Sequence, residues 1–85
     1  MTKFIAAAIQ MDSQDDKSAN LAVAEGYIRE AAARGARLVV LPETMNYIGR
    51  DIDGEAESIP LGPTFQKMAG LARELGIWLE AGSIY

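Results

Sequence analysis

The residue of this sequence that is best suited to carry out chemistry is Glu43. It directly follows the apolar run 37–41 (RLVVL) and Pro42, which places its carboxylate at the carboxyl end of a predicted strand, where open α/β sheets form their sites. A carboxylate held in such a place can accept and return a proton as a general base. On position alone, a solvated carboxylate without a catalytic role is the more frequent case just past a strand. Other motifs must therefore decide whether Glu43 is catalytic.

Several groups on which enzymes rely are missing from the chain. It contains no cysteine and no histidine, which excludes disulfides and a thiol or imidazole catalyst within these residues and argues against a zinc site. The glycines form neither a Gly-x-Gly-x-x-Gly fingerprint nor a Walker-type phosphate loop, so we expect no nucleotide and no other cofactor. The acidic cluster Asp12, Asp15 and Asp16 could form a cation site or a phospho-acceptor pocket of the receiver-domain type. Because Glu43, and not an acceptor Asp, follows the second predicted strand, and because the cluster lies ahead of a predicted helix, helix capping is favoured.

The composition is that of an ordinary globular protein. Of the 85 residues, 49% are hydrophobic and 24% are charged, and a chain of this length forms one domain or less. The net charge of -4 provides no basic surface for nucleic acid or anionic lipid, so neither is expected as a partner. The longest apolar run, residues 4–9, is too short for a membrane span or a signal-peptide core, and we expect a cytoplasmic protein.

Hydrophobic periodicity predicts the elements that would position the candidate carboxylate. Three apolar runs without alternation are typical of strands in parallel sheets; they are residues 3–11, 37–41 and 77–85. Helical spacing predicts one helix over residues 19–34, with Ser18 as its N-cap, and a second from Gly62-Pro63-Thr64 to a stop at Gly76. Residues 44–62 lack a convincing period and are predicted to form a long loop. The chain is therefore α/β, of order β-α-β-α-β, with a mostly parallel sheet and right-handed crossovers.

Several motifs occur in the order that is typical of one enzyme family. They are Asn20-Leu21, Gly35-Ala36, Leu41-Pro42-Glu43, the stretch 46–49 (NYIG), Gly62-Pro63-Thr64 and Ala81-Gly82-Ser83. On these residues the chain resembles, along essentially its whole length, the nitrilase superfamily of carbon–nitrogen hydrolases, and its amidase branch in particular. The resemblance implies that residues 1–85 are the N-terminal segment of a four-layer α-β-β-α sandwich, in which two sheets pack together.

The resemblance also implies a mechanism and a set of site residues. The family resembled cleaves a small carboxamide or nitrile with a Cys nucleophile, a Glu general base and a Lys that stabilises the tetrahedral intermediate, and only the glutamate has a match here, at Glu43. Asn46 and Tyr47 are candidates for lining the substrate pocket, with ordinary loop packing as an equal alternative. Glu80 interrupts the third predicted strand, and there an end-of-strand carboxylate that reaches water is favoured over a second catalytic acid.

Two functions from different classes stay open at this point. The first is that of an N-terminal hydrolase segment, inactive by itself because the chain has no Cys and no matching Lys. The alternative is a non-catalytic α/β module that associates with itself or with a partner. This alternative follows from how the sheet is covered. Strands that are apolar on both faces need a covering layer on each face, and two helices cover little more than one face. We therefore expect a homo-oligomer.

Overall fold

The chain forms a parallel sheet that is connected by two helices. The computed structural model describes residues 4–43, 45–50, 57 and 62–82. The elements within these ranges are, in chain order, β1 (Ile5–Ala8), α1 (Lys17–Ala33), β2 (Ala36–Val40), α2 (Pro63–Leu75) and β3 (Trp78–Glu80). The strands lie in the order β1-β2-β3, and both neighbouring pairs are parallel. The predicted α/β order and the parallel sheet are confirmed.

Helix α1 begins earlier than predicted because a different residue caps it. The backbone of Asp16 is extended (φ −106°, ψ 97°), and its carboxylate accepts a hydrogen bond from the backbone N–H of Ala19. An aspartate at this position satisfies one of the N–H groups that a helix leaves unpaired at its start. Ser18, the predicted N-cap, lies inside the first turn instead, so that prediction was wrong. The capping role predicted for the acidic cluster is carried by Asp16.

Proline and glycine set the bounds of α2 where the sequence predicts them. Gly62 stands at the N-cap and Pro63 at the start of the helix, where the N–H that proline lacks would have no intrahelical partner. Gly76 follows the last turn with φ 65° and ψ 38°, a left-handed conformation that glycine adopts without strain. The start and the stop predicted for this helix are both confirmed.

The core lies between the sheet and the two helices. Val39 in β2 is fully buried, and its partners in register, Ala7 of β1 and Leu79 of β3, pack against the same cluster. Ile28 of α1 and Met68 of α2 belong to that cluster as well. Right-handed crossovers between neighbouring parallel strands place both connecting helices on one side of a sheet, and α1 and α2 do contact each other.

Ion pairs connect the outer surfaces of the two helices. Arg29 of α1 lies 2.8 Å from Glu25 on its own helix and 2.6 Å from Glu74 of α2, and Lys67 of α2 lies 2.7 Å from Glu25. Hydrogen bonds from Lys67 and Arg29 hold the pKa of Glu25 below its ordinary value, and a hydrogen bond from Arg29 does the same for the pKa of Glu74. Because water and salt screen such exposed pairs, they contribute little to the stability of the fold.

The other side of the sheet carries a second set of side chains, which we call the open face. Side chains alternate between the two faces along a strand. The strand neighbours of Ala7, Val39 and Leu79 therefore point to the side away from the core; they are Ala6, Ala8, Leu38, Val40, Trp78 and Glu80. Trp78 is 79% exposed and Val40 is 36% exposed. The described part of the chain therefore leaves the open face largely to solvent.

Parts of three predicted elements lie outside the described residues. The structure describes residues 45–50, 57 and 62 of the predicted loop 44–62. The rest of that loop, Lys3 of the first predicted strand and residues 83–85 of the third lie outside the described ranges. Within those ranges, neither helix has the length and the apolar composition that crossing a membrane requires.

Truncation of Ile28 tests the placement of the core. Ile28 is 0% exposed, so Ile28→Ala should leave a cavity between α1 and the sheet and lower the free energy of unfolding by about 2–5 kcal/mol. Urea denaturation measures this loss. On the same helix Val23 is 48% exposed, and Val23→Ala should change the free energy by less than about 0.5 kcal/mol. Equal losses in the two variants would contradict the packing described above.

Candidate active site

Glu43 lies in a turn at the carboxyl end of β2, the strand that pairs with both of the others. The chain leading to it is held by ladder bonds. The backbone N–H of Leu41 donates to the carbonyl oxygen of Glu80 at 2.8 Å, and that of Ile9 donates to Val40 at 2.9 Å. The side chain of Glu43 is exposed. Glu43 thus stands at the sheet edge that the sequence predicts for it.

The chain that leaves β3 passes directly beside the end of β2. At Gly82 (φ +70°) a Cβ atom would clash with the carbonyl oxygen of Pro42, so a residue without a side chain is required for this close approach. The backbone N–H of Gly82 donates to the side chain of Glu80 at 3.2 Å. Glu80 is exposed and is the last residue of its strand, which agrees with the end-of-strand role favoured for it above.

Buried amide groups fix the segment that follows Glu43. The side chain of Asn46 is 0% exposed and donates to the carboxylate of Glu57 at 3.1 Å and to the hydroxyl of Thr64 at 3.3 Å. The backbone carbonyl of Asn46 accepts from the side chain of Asn20 at 2.9 Å. Asn46 therefore links this segment to α1 and to the start of α2. Its role in substrate binding stays a prediction.

Asn20, on the buried side of α1, joins the loops that follow β1 and β2. Its side-chain oxygen accepts from the N–H of Gln14 at 3.0 Å, and its nitrogen donates to the carbonyl of Gln14 at 2.8 Å. Next to it the Ser13 hydroxyl donates to the carbonyl of Met45 at 2.8 Å. The N–H of Ile48 donates to Gln14 at 2.9 Å. Polar groups that leave water need such partners, and no buried side-chain nitrogen or oxygen of the described residues lacks one.

Tyr47 is also buried, with 3% of its surface exposed. Its ring lies against Gly49, where a Cβ atom would overlap the phenol group and crowd the side chain of Asp15. The missing side chain at Gly49 therefore allows the loop to fold back over the ring. The part of Tyr47 in lining a substrate pocket is, like that of Asn46, still a prediction.

A buried ion pair lies where α1, α2 and the segment after Glu43 meet. The carboxylate of Glu57 is 5% exposed and lies 2.8 Å from Nζ of Lys17. It accepts from the backbone N–H of Thr64 at 2.7 Å and also from the hydroxyl of Thr64 and the amide of Asn46. We call Lys17, Asn46, Glu57 and Thr64 the polar junction.

Two opposing effects act on the pKa of Glu57. Burial raises this pKa because the carboxylate loses hydration, but hydrogen bonds from Lys17, Thr64 and Asn46 favour the charged form and prevail. The pKa of Glu57 therefore lies below its ordinary value of 4.5. As an anion Glu57 also supplies the first turn of α2 with the acceptor that its N-cap, Gly62, cannot provide.

Sequence analysis missed this junction. It did not single out Glu57, and the helix predicted over residues 19–34 left out Lys17, which is the first residue of α1. One signal was available, because a helix that starts at Gly62 needs an acceptor from elsewhere and Glu57 is the nearest carboxylate before it. No local pattern indicates that Lys17, far earlier in the chain, provides the matching charge.

Two of the acidic residues before α1 are engaged in hydrogen bonds. Asp16 caps the helix, and Asp12 accepts from the side chain of Gln14 at 2.9 Å. In the described ranges of the chain, no three His, Cys, Asp or Glu side chains are grouped so that they could hold a metal ion.

Comparison with known proteins shows the family. The family model described as carbon–nitrogen hydrolase matches residues 5–85. The chain belongs to the carbon–nitrogen hydrolases. The resemblance to the nitrilase superfamily and to its amidase branch is confirmed, and the parallel sheet with its two helices is consistent with the N-terminal part of that fold.

The curated relatives that the chain matches include proteins named as amidases. Human omega-amidase NIT2 is 43% identical over 86 residues, which cover 99% of the chain and 31% of the relative. Omega-amidase NIT2 of Danio rerio is 40% identical with the same coverage. Human deaminated glutathione amidase is 36% identical over 86 residues, which cover 95% of the chain and 25% of that protein. The chain thus spans less than a third of the length of these relatives.

Acid should weaken the fold through Glu57. Because its folded pKa lies below 4.5, its stabilising contribution is complete above that value and is lost as the pH falls through the folded pKa. Glu57→Gln should lower the free energy of unfolding by about 1–3 kcal/mol near pH 7, and its difference from the wild type should shrink below about pH 4.5. Urea denaturation across this pH range measures both effects.

Glu74→Gln serves as the control, because it removes a carboxylate that is 57% exposed. We expect a smaller loss from it than from Glu57→Gln. A loss of equal size in both variants, or one that does not vary with pH, would show that the Glu57 carboxylate is not held as an anion by its neighbours.

Proposed function

We propose that this chain is the N-terminal segment of a hydrolase that cleaves the C–N bond of a small carboxamide, with Glu43 as its general base. The proposal is carried by the position of Glu43 at the carboxyl end of β2, directly after Leu41 and Pro42, in a chain of the carbon–nitrogen hydrolase family. The names of the relatives, omega-amidase and deaminated glutathione amidase, support an amide as the substrate. The stretch 46–49 favours a small dicarboxylic acid monoamide.

In the proposed reaction Glu43 moves protons between the reacting groups. It takes the proton from a cysteine thiol, and the thiolate attacks the amide carbon while a lysine ammonium stabilises the oxyanion. Glu43 then gives its proton to the leaving nitrogen, so that ammonia departs and a thioester remains. Finally it takes a proton from water, and the resulting hydroxide attacks the thioester; the C–S bond breaks, the carboxylic acid departs, and Glu43 returns its proton to the leaving thiolate, which restores the thiol and the carboxylate.

The exposed position of Glu43 supports a site that further residues complete. The 85 residues contain no cysteine, and the chain spans 31% of the length of human omega-amidase NIT2. In this proposal the remaining residues of the enzyme supply the thiol and the ammonium and shield Glu43 from water. The complete enzyme is proposed to be cytoplasmic.

The gene beyond Tyr85 should then encode a Lys and, after it, a Cys in a strand-to-helix turn; a stop codon directly after Tyr85 would count against the proposal.

Replacement of Glu43 tests its role in the complete enzyme. Glu43→Gln should lower kcat for a small dicarboxylic acid monoamide by about 100-fold or more, because the amide cannot accept the thiol proton. Ammonia release measures the rate, and the 85-residue chain by itself should release none. Glu30→Gln, which removes a surface carboxylate paired with Arg34 at 2.8 Å, should leave the rate unchanged. Turnover by the purified 85-residue chain, or full activity of Glu43→Gln, would refute the proposal.

A second candidate function, self-association, is supported by the open face. Trp78 is 79% exposed, and beside it in register lie Leu38 and Ala6, so an apolar strip crosses the whole sheet. A parallel sheet is ordinarily covered on both faces, and a second copy of the chain could supply the missing layer through a two-fold symmetric contact. We infer that the isolated chain covers this face by forming a homo-oligomer.

A charge on the open face tests this inference. Light scattering at micromolar concentration should find the chain as a dimer or a larger oligomer, and Trp78→Glu should shift it towards the monomer, because the contact would have to bury an unpaired carboxylate. The control is Val23→Glu, which places the same charge on the exposed surface of α1 and should leave the oligomer intact. A compact monomer of the unmodified chain would argue against self-association.

A further inference from the structure

The turn that carries Glu43 is anchored on both sides. On the side of β2, the N–H of Leu41 is bonded to Glu80 of the neighbouring strand. On the other side, Met45 is 0% exposed and belongs to the core cluster, and Asn46 is bound to both helices through the polar junction and Asn20. We call Met45 and Asn46 the second anchor. Because one residue separates Glu43 from Met45, a shift of this anchor would move the carboxylate by a similar distance.

The second anchor depends on the charge of Glu57. Asn46 is polar and fully buried, so its amide needs an acceptor inside the protein. A carboxylate accepts more strongly than a neutral group, and Lys17, at 2.8 Å, favours the charged form of that carboxylate. Loss of the Glu57 carboxylate would therefore remove the stronger of the two acceptors described for that amide, the other being the hydroxyl of Thr64 at 3.3 Å.

We propose that Glu57 is a positioning residue: by fastening the segment 45–48 to α1 and α2, it sets the place of the Glu43 carboxylate in the hydrolase. This inference rests on the function proposed above. Glu57 is 5% exposed and has no contact with substrate in this scheme, so it acts through Asn46 and the backbone. Misplacement of a catalytic group by about 1 Å can cost about 100-fold in rate, and the effect of Glu57 should therefore fall on kcat.

A matched pair of variants at Thr64 tests the proposal with the ion pair intact. Thr64→Val keeps the shape of a side chain that is 0% exposed but removes the hydroxyl that contacts both Glu57 and Asn46. Thr64→Ser restores the hydroxyl. In the complete enzyme, and well below the melting temperature of each variant, Thr64→Val should lower kcat about tenfold with KM changed less than about threefold. Thr64→Ser should keep kcat within about threefold of the wild type.

A second pair of variants adds a readout that does not need turnover. Glu57→Gln should lower kcat at least as much as Thr64→Val does and should speed hydrogen exchange of the Ile48 N–H, which is bonded to Gln14 at 2.9 Å. Glu74→Gln, the exposed control, should change neither quantity. If Glu57→Gln does not fold, the two Thr64 variants decide the matter, because both keep the carboxylate and its lysine.

The outcomes separate this inference from the function on which it rests. A complete enzyme that hydrolyses no amide would overturn the proposed function and, with it, a positioning role in catalysis. An active enzyme in which Thr64→Val and Thr64→Ser have the same kcat would overturn the positioning role alone. A rise in KM that accounts for the whole loss of kcat/KM would overturn it too, because it would place the junction in substrate binding.

Discussion

Parallel strands cannot be joined by a short turn, so β2 can pair with both of its neighbours only if a long connection crosses back between each pair, and here each connection contains a helix. Two consequences follow from this constraint. The carboxyl ends of all three strands meet at one edge, where Pro42, the residue before Glu43, lies against Gly82 of the chain that leaves β3. Both helices fall on the same side, because both crossovers have the same hand and run in the same direction along the sheet. The position of the candidate site and the exposure of the open face thus both follow from the parallel pairing of the strands.

Apolar packing fixes the sheet and the helices, whereas polar side chains fix the loops at the site. In the described part of the chain, the bond from the Leu41 N–H to Glu80 is the last ladder bond that holds the backbone at this end of β2. Asn20 and Asn46 take over that function, each bonding to backbone or side-chain groups of another segment. Compared with two apolar side chains in the same place, a buried ion pair such as that of Glu57 and Lys17 adds little net stability, although removal of one partner alone is costly. Its directional bonds nevertheless define one arrangement of the loop.

The sequence allowed the fold to be predicted closely because its signals are local. Gly62, Pro63 and Gly76 determine the bounds of α2 through their own backbone preferences, and apolar runs without alternation indicate a parallel sheet. The cap of α1 was wrong by two positions, because Asp16 and Ser18 are both good N-caps and backbone conformation decides between them. The polar junction could not be predicted in full, because the contact between Glu57 and Lys17 exists only once both helices are packed.

Trp78 gives the open face an optical property of its own. It is the single tryptophan of the sequence, and most of its indole ring is in contact with water. Indole fluorescence moves to shorter wavelengths when the ring is shielded from water, so the emission colour of this chain reports on one surface and no other. The same signal would distinguish a bare sheet from one that lies inside a finished sandwich, without any label being attached.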